Sequence, residues 1–144
     1  MPATASSPGI VAALSSGLPV LLLQFIVCIA LLVVGIVIYT KVTPFREREL
    51  IREGNVAAAT VLSGAVVALA IPLAALLATT ISVLDIIVWG IVAILLQLIT
   101  VIITCHLMRG MRDMIIDGKV AAALLIVAAQ LAIGLLNAAA MVPA

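Results

Sequence analysis

Four stretches of this chain, at about 19–40, 56–79, 83–105 and 120–141, are apolar almost without interruption. Each reaches or exceeds the roughly twenty residues that cross ~30 Å of hydrocarbon at 1.5 Å per residue. Only 9% of the 144 residues are charged and 67% are hydrophobic, against about 25% charged in a soluble domain. Such a chain cannot cover its own surface with polar groups, so the bilayer is its main solvent. An all-α polytopic membrane protein with four transmembrane helices follows. No stretch is polar and long enough to fold as a separate catalytic domain.

The first apolar run could be confused with a signal peptide, but no Lys or Arg precedes it and its length exceeds an h-region. It reads as a retained helix. A net charge of +1 gives no footprint for nucleic acid, which needs many cations on one surface. The seven basic residues fall in two segments, Lys41, Arg46, Arg48 and Arg52 after the first span and Arg109, Arg112 and Lys119 after the third. Short loops rich in Lys and Arg stay in the cytoplasm. Both loops (41–55 and 105–119) are therefore expected inside. The 1–18 tail, the 80–82 turn and the C-terminus fall outside. Within the tail, residues 10–14 are either part of a disordered leader or a short interfacial helix. Tyr39 and Trp89 stand where aromatic anchors sit at membrane interfaces.

Sliding the chain by 64 residues aligns 48–59 with 112–123, with seven of twelve pairs identical and two more exchanging Glu for Asp. The spacing predicts two parallel two-helix repeats, 19–79 and 80–144, each with its own loop. Both loops end on Gly, Gly54 and Gly118, which stops a helix in the left-handed conformation before an Ala-rich start. Thr43-Pro44 predicts the start of a short helix over 44–53 on the inner face, with Thr as cap and Pro at the first helical position. Alternatively the Arg-Glu alternation is a solvated charge run. The loops' Arg48, Glu49, Arg52, Glu53, Arg112 and Asp113 are the candidate residues for contact with a cytoplasmic protein. Small residues after each Gly, including Ala57–Ala59 and Ala121–Ala123, offer faces for close helix packing, within the bundle or between copies in a homo-oligomer. Pro72 is expected to kink the second span.

Thr43-Pro44, Glu49-Leu50-Ile51, Gly54-Asn55-Val56 with its alanines, Trp89-Gly90 with Gln97, and Gly134-Leu135-Leu136-Asn137 together resemble domain-of-unknown-function family 350, bacterial four-helix inner-membrane proteins. The resemblance covers nearly the whole chain. Phe45-Arg46 and Lys119 depart from the family's usual residues. What the resemblance implies is fold and an inner-membrane location, since the family is named for having no assigned activity.

Polar side chains within hydrocarbon are functional candidates by default. Gln97, Thr100 and Thr104 share one helix face, and Gln130, Gly134 and Asn137 another. Gln97 and Gln130 lie about 12 and 16 Å from the inner ends of their spans, a depth that allows a bond across spans three and four. They read as interhelical glue or as a polar seam holding water. Asp85 and Asn137 match similarly near the outer face. Asp85 follows Ser82 by three residues, as in a capping box, and is otherwise an ion or proton site. Cys105-His106 lacks the further ligands of a four-coordinate metal site. No nucleophile, base and orienting group can be assembled around the single His. No metal, cofactor or catalytic activity is therefore expected. Two functions fit these residues, a scaffold that docks a cytoplasmic partner on its loops or a small channel or transporter lined by the Gln97 and Gln130 faces. The scaffold is preferred.

Overall fold

The computed structural model describes residues 9–142, so residues 1–8 of the expected tail lie outside it. The elements are helical throughout: α1 (Ile10–Val42), α2 (Glu47–Arg52), α3 (Val56–Thr79), α4 (Val83–Leu107), α5 (Met111–Ile116) and α6 (Val120–Met141). Four of them, α1, α3, α4 and α6, are long and apolar enough to cross a membrane. The short α2 and α5 lie in the two charged loops at one end, called here the basic end. The α3–α4 turn marks the other.

Packing follows the rule for helices in lipid, where small residues bring backbones together and large apolar ones face outward. Between α3 and α6, Ala57, Ala58, Ala65, Ala68, Ala122 and Ala123 are buried, while Leu124, Leu125, Leu135 and Leu136 are exposed. Much of the small-residue surface is thus used inside the subunit, while Ser63, Ala121 and Ala128 stay exposed. Pro72 contributes to this pair. Lacking an N–H, it leaves the carbonyl of Ala68 without its intrahelical donor. There α6 approaches the α3 backbone, with Gly134 so near that an added Cβ would sit 2.7 Å from the Ala68 oxygen. Helix α3 nonetheless continues through Pro72 to Thr79.

Three sequence expectations need correction. Helix α1 begins at Ile10 rather than near residue 19, so residues 10–18 are continuous with the first long helix. Gln24 donates to the Thr80 carbonyl at 3.5 Å, which sets Gln24 level with the α3–α4 turn. Residues 10–23, all exposed, therefore continue about 21 Å past it. Second, Thr43-Pro44 ends α1 instead of starting α2. Thr43 is the extended C-cap of α1, its hydroxyl donates to the Tyr39 carbonyl at 3.2 Å, and the proline ring excludes helical backbone before it. The short helix occupies Glu47–Arg52 rather than 44–53. Third, Tyr39 is not an interfacial anchor. It is fully buried in the core at the basic end.

Candidate functional site

Two features at the basic half of the bundle stand out, a polar chain inside it and a platform beneath it. The chain is built from α1, α4 and α6. Gln97 Nε2 donates to the Gln130 carbonyl at 3.0 Å, and Gln130 Nε2 donates to the Tyr39 hydroxyl at 2.6 Å. Their exposures are 1%, 0% and 0%, so these bonds are shielded from bulk solvent, and the side-chain oxygens Gln97 Oε1 and Gln130 Oε1 have no partner among the protein groups. In hydrocarbon such groups bond one another because no solvent competes.

Not every candidate for the seam joins it. Thr100 and Thr104 donate back to carbonyls of their own helix, Leu96 and Thr100, at 2.8 Å each. Asn137 is buried two turns beyond Gln130, with Nδ2 unpartnered. Asp85 is exposed beside the α3–α4 turn. Ser82 does cap α4, its hydroxyl accepting from the Asp85 N–H at 3.3 Å. The return half of a capping box is absent, because the Ser82 N–H donates to the Thr80 hydroxyl. The Thr80 hydroxyl reaches the Asp85 carboxylate at 3.5 Å. Asp85 and Asn137 therefore do not meet.

The platform is built from the two loops. Helices α2 and α5 start 64 residues apart and run six residues each. Both end on a left-handed glycine, Gly54 at φ 83° and Gly118 at φ 77°, and in both the following N–H reaches back five residues, Asn55 to Leu50 and Lys119 to Met114, at 2.9 Å. Asn55 then does two things that Lys119 does not. Its side-chain oxygen caps α3 by accepting from the Ala58 N–H at 2.9 Å. Its Nδ2 donates to the carbonyls of Ile115 and Ile116 at 2.8 and 3.0 Å; Ile115 also accepts from the Gly118 N–H, while Ile116 is one of the carbonyls that the end of a helix leaves without an intrahelical donor. The two loops are pinned to each other as a result.

A cleft of about 470 Å³ opens on this platform, with Lys41, Arg46, Glu49, Glu53 and Arg112 at its rim and Phe45, Leu50 and Ile116 among its apolar lining. Of the loop candidates, Glu49, Glu53 and Arg112 thus share one surface. Arg48 lines a neighbouring cleft of about 260 Å³, and Arg52 and Asp113 are exposed on α2 and α5. Arg46 pairs with Glu49 at 3.1 Å in an exposed ion pair, of a kind worth about 0–1 kcal/mol.

Sequence reasoning passed over Glu47. It sits on the inward face of α2 at 1% exposure, and neither carboxyl oxygen has a hydrogen-bond partner. Burial pushes its carboxyl up to about 8, with the Thr43 hydroxyl acting in the other direction. A signal existed in the 64-residue offset, which places Glu47 opposite Met111, a buried apolar residue. Tyr39 had its own signal, since Gln24, Cys28, Gly35 and Tyr39 recur at spacings of four, seven and four residues and form the buried stripe of α1. Cys28 and Cys105 are free thiols. Among the described residues no three His, Cys, Asp or Glu side chains group as metal ligands would.

Set beside known proteins, the chain matches a family model described as Domain of Unknown Function (DUF350) over residues 13–141. Two similar curated proteins, from Escherichia coli strain K12 and Escherichia coli O157:H7, are both called UPF0719 inner membrane protein YjfL. Each is 32% identical over 117 residues, 81% of this chain and 89% of the relative. No solved structure is significantly similar. Four apolar helices and inner-membrane relatives support a multi-pass inner-membrane location.

Proposed function

The chain belongs to the DUF350 family, and on that footing we propose that it is a non-enzymatic membrane scaffold whose two loops present one cytoplasmic platform to a soluble protein partner. The carrying observation is the Asn55 tie to Ile115 and Ile116, which makes one surface of loops 60 residues apart. The cleft between them is rimmed by both charge signs and floored by apolar side chains, the composition of a protein-docking surface. The positive-inside rule turns this end to the cytoplasm and leaves both termini outside.

The equal offsets of α2 and α5 and of α3 and α6 support two parallel two-helix repeats as the origin of the platform. Homo-oligomerisation is part of the same reading. The surface we assign to that contact is residues 10–23, an exposed apolar helix segment that extends beyond the other spans. The hydrocarbon thickness of about 30 Å is already filled by the 24 residues of α3.

The test is co-purification from native membranes with Arg48→Ala, Glu49→Ala and Arg112→Ala combined. The scaffold reading expects cytoplasmic proteins that accompany the wild type to be lost, and unchanged capture contradicts it. A small channel or transporter is the second reading, favoured by the buried unpartnered atoms Gln97 Oε1, Gln130 Oε1 and Asn137 Nδ2, which a water-holding seam would satisfy. The near-complete burial of both glutamines weighs against an open path within one subunit. Solute flux in liposomes that is lost in a Gln97→Leu, Gln130→Leu variant would favour the channel.

A further inference from the structure

We propose that Glu47 is a proton-binding site, entered from the cleft at the basic end and facing, on its inner side, the Tyr39–Gln130–Gln97 hydrogen-bonded chain.

The inward face of α2 is Glu47, Leu50 and Ile51, at positions i, i+3 and i+4. The corresponding face of α5 is Met111, Met114 and Ile115, with Met111 and Ile115 buried. The site is therefore a core position by geometry, and in the first loop it holds a carboxyl where the second loop holds a thioether. An ionised carboxylate without partners is costly in such surroundings, whereas its protonated form is far cheaper to bury. No cation pairs with it, and both oxygens are unpartnered. Exchange with solvent has a route, because Glu47 also lines the cleft of about 260 Å³ together with Thr40, Lys41, Arg46, Arg48 and Glu49. The site is thus walled by protein on one side and borders the cleft on the other.

Helix α3, on which α2 packs, carries no titratable side chain, and the groups near Glu47 come from the other elements. Tyr39 and Lys41 come from α1, and Cys105 comes from α4. Arg46, Arg48 and Glu49 belong to α2 and its approach, and Arg112 of α5 lines the adjoining cleft. Helix α6 contributes Gln130 through Tyr39. Since the Tyr39 oxygen accepts from Gln130, its own hydrogen is free for a second acceptor. On deprotonation the Glu47 O–H bond breaks, the proton passes to water in the cleft, and the electron pair stays on the carboxylate. The Tyr39 and Thr43 hydroxyls can then turn toward the new charge. This couples the protonation state at the basic end to the polar chain within the span. The elevated Glu47 pKa described above agrees with this placement.

The chain has three glutamates, Glu47, Glu49 and Glu53, so carboxyl-13C-labelled glutamate in the full-length protein in lipid vesicles gives three NMR signals to follow with pH. One signal is expected to titrate near pH 8 and to persist when the exposed pair is replaced by Glu49→Gln and Glu53→Gln. A set of three signals all titrating in the ordinary carboxylate range, or a late signal that vanishes in that double variant, would overturn the proposal. Tyr39→Phe is expected to move the late midpoint upward by removing a donor to the carboxylate. A midpoint unchanged in that variant would break the link to the Gln130–Gln97 chain.

Discussion

Gly134→Ala probes the contact where a glycine of α6 lies against the backbone of α3. A Cβ on residue 134 would lie 2.7 Å from the Ala68 oxygen and 3.3 Å from its Cα. Both are backbone atoms of α3 that no rotamer change can move. Reaching an ordinary contact of 3.4 Å requires α6 to withdraw by about 0.7 Å, which loosens the attractive contacts on both sides, where each atom pair contributes about 0.1–0.2 kcal/mol. Overpacking of this kind costs about 1–3 kcal/mol. The usual helix gain of Ala over Gly largely cancels, because the span stays helical when the bundle comes apart in detergent. Reversible unfolding in mixed micelles by titrated SDS measures the difference, with Gly17→Ala as control since nothing lies within 4 Å of that position. A Gly134→Ala protein as stable as the wild type would refute the close approach of α6 to the carbonyl freed by Pro72.

Gln130→Leu is expected to destabilise more than Gln97→Leu, because it strands the buried Tyr39 hydroxyl, at a cost of about 1–3 kcal/mol; combining it with Tyr39→Phe should cost less than the sum of the two, as a double-mutant cycle in SDS would read. Asn55→Ala removes the α3 cap, worth about 1 kcal/mol, and the bonds to α5, so amide exchange should quicken at both the start of α3 and the end of α5 rather than at α3 alone. For Glu47 the folded pKa of about 8 lies above the ordinary 4.5, so the folded state binds the extra proton between those values. Its stabilising contribution is full below pH 4.5 and lost as pH rises toward 8. Glu47→Gln should flatten that part of a stability profile, and an unchanged slope would assign it to other groups.

The spans were legible because bilayer thickness imposes a length that an apolar run either meets or misses, and three of the four helices start where the sequence places them. The pairing of Gln97 with Gln130 was legible as a match in depth. The limits lay where one residue type serves two purposes. Thr-Pro suits a helix start and a helix end equally, and the direction in which the Thr43 hydroxyl donates decides between them. Tyr39 at a span's end suits an interfacial belt, and only the stripe of Gln24, Cys28 and Gly35 behind it marks that face as buried. Glu47 was hidden in an alternating charge run whose other members are solvated, since the six-residue helix that turns it inward has no strong signal of its own. The joining of the loops through Asn55 is a tertiary contact across 60 residues that local pattern does not carry.

The proposed scaffold role requires the two loops to act as a single docking platform. A photo-cross-linking residue placed at Ile116, on the α5 side of the cleft, tests this in intact cells. The platform reading predicts a discrete adduct with a cytoplasmic protein that disappears when Glu49→Lys, in the other loop, is added. An adduct indifferent to Glu49→Lys, or cross-linking to lipid alone, would contradict it.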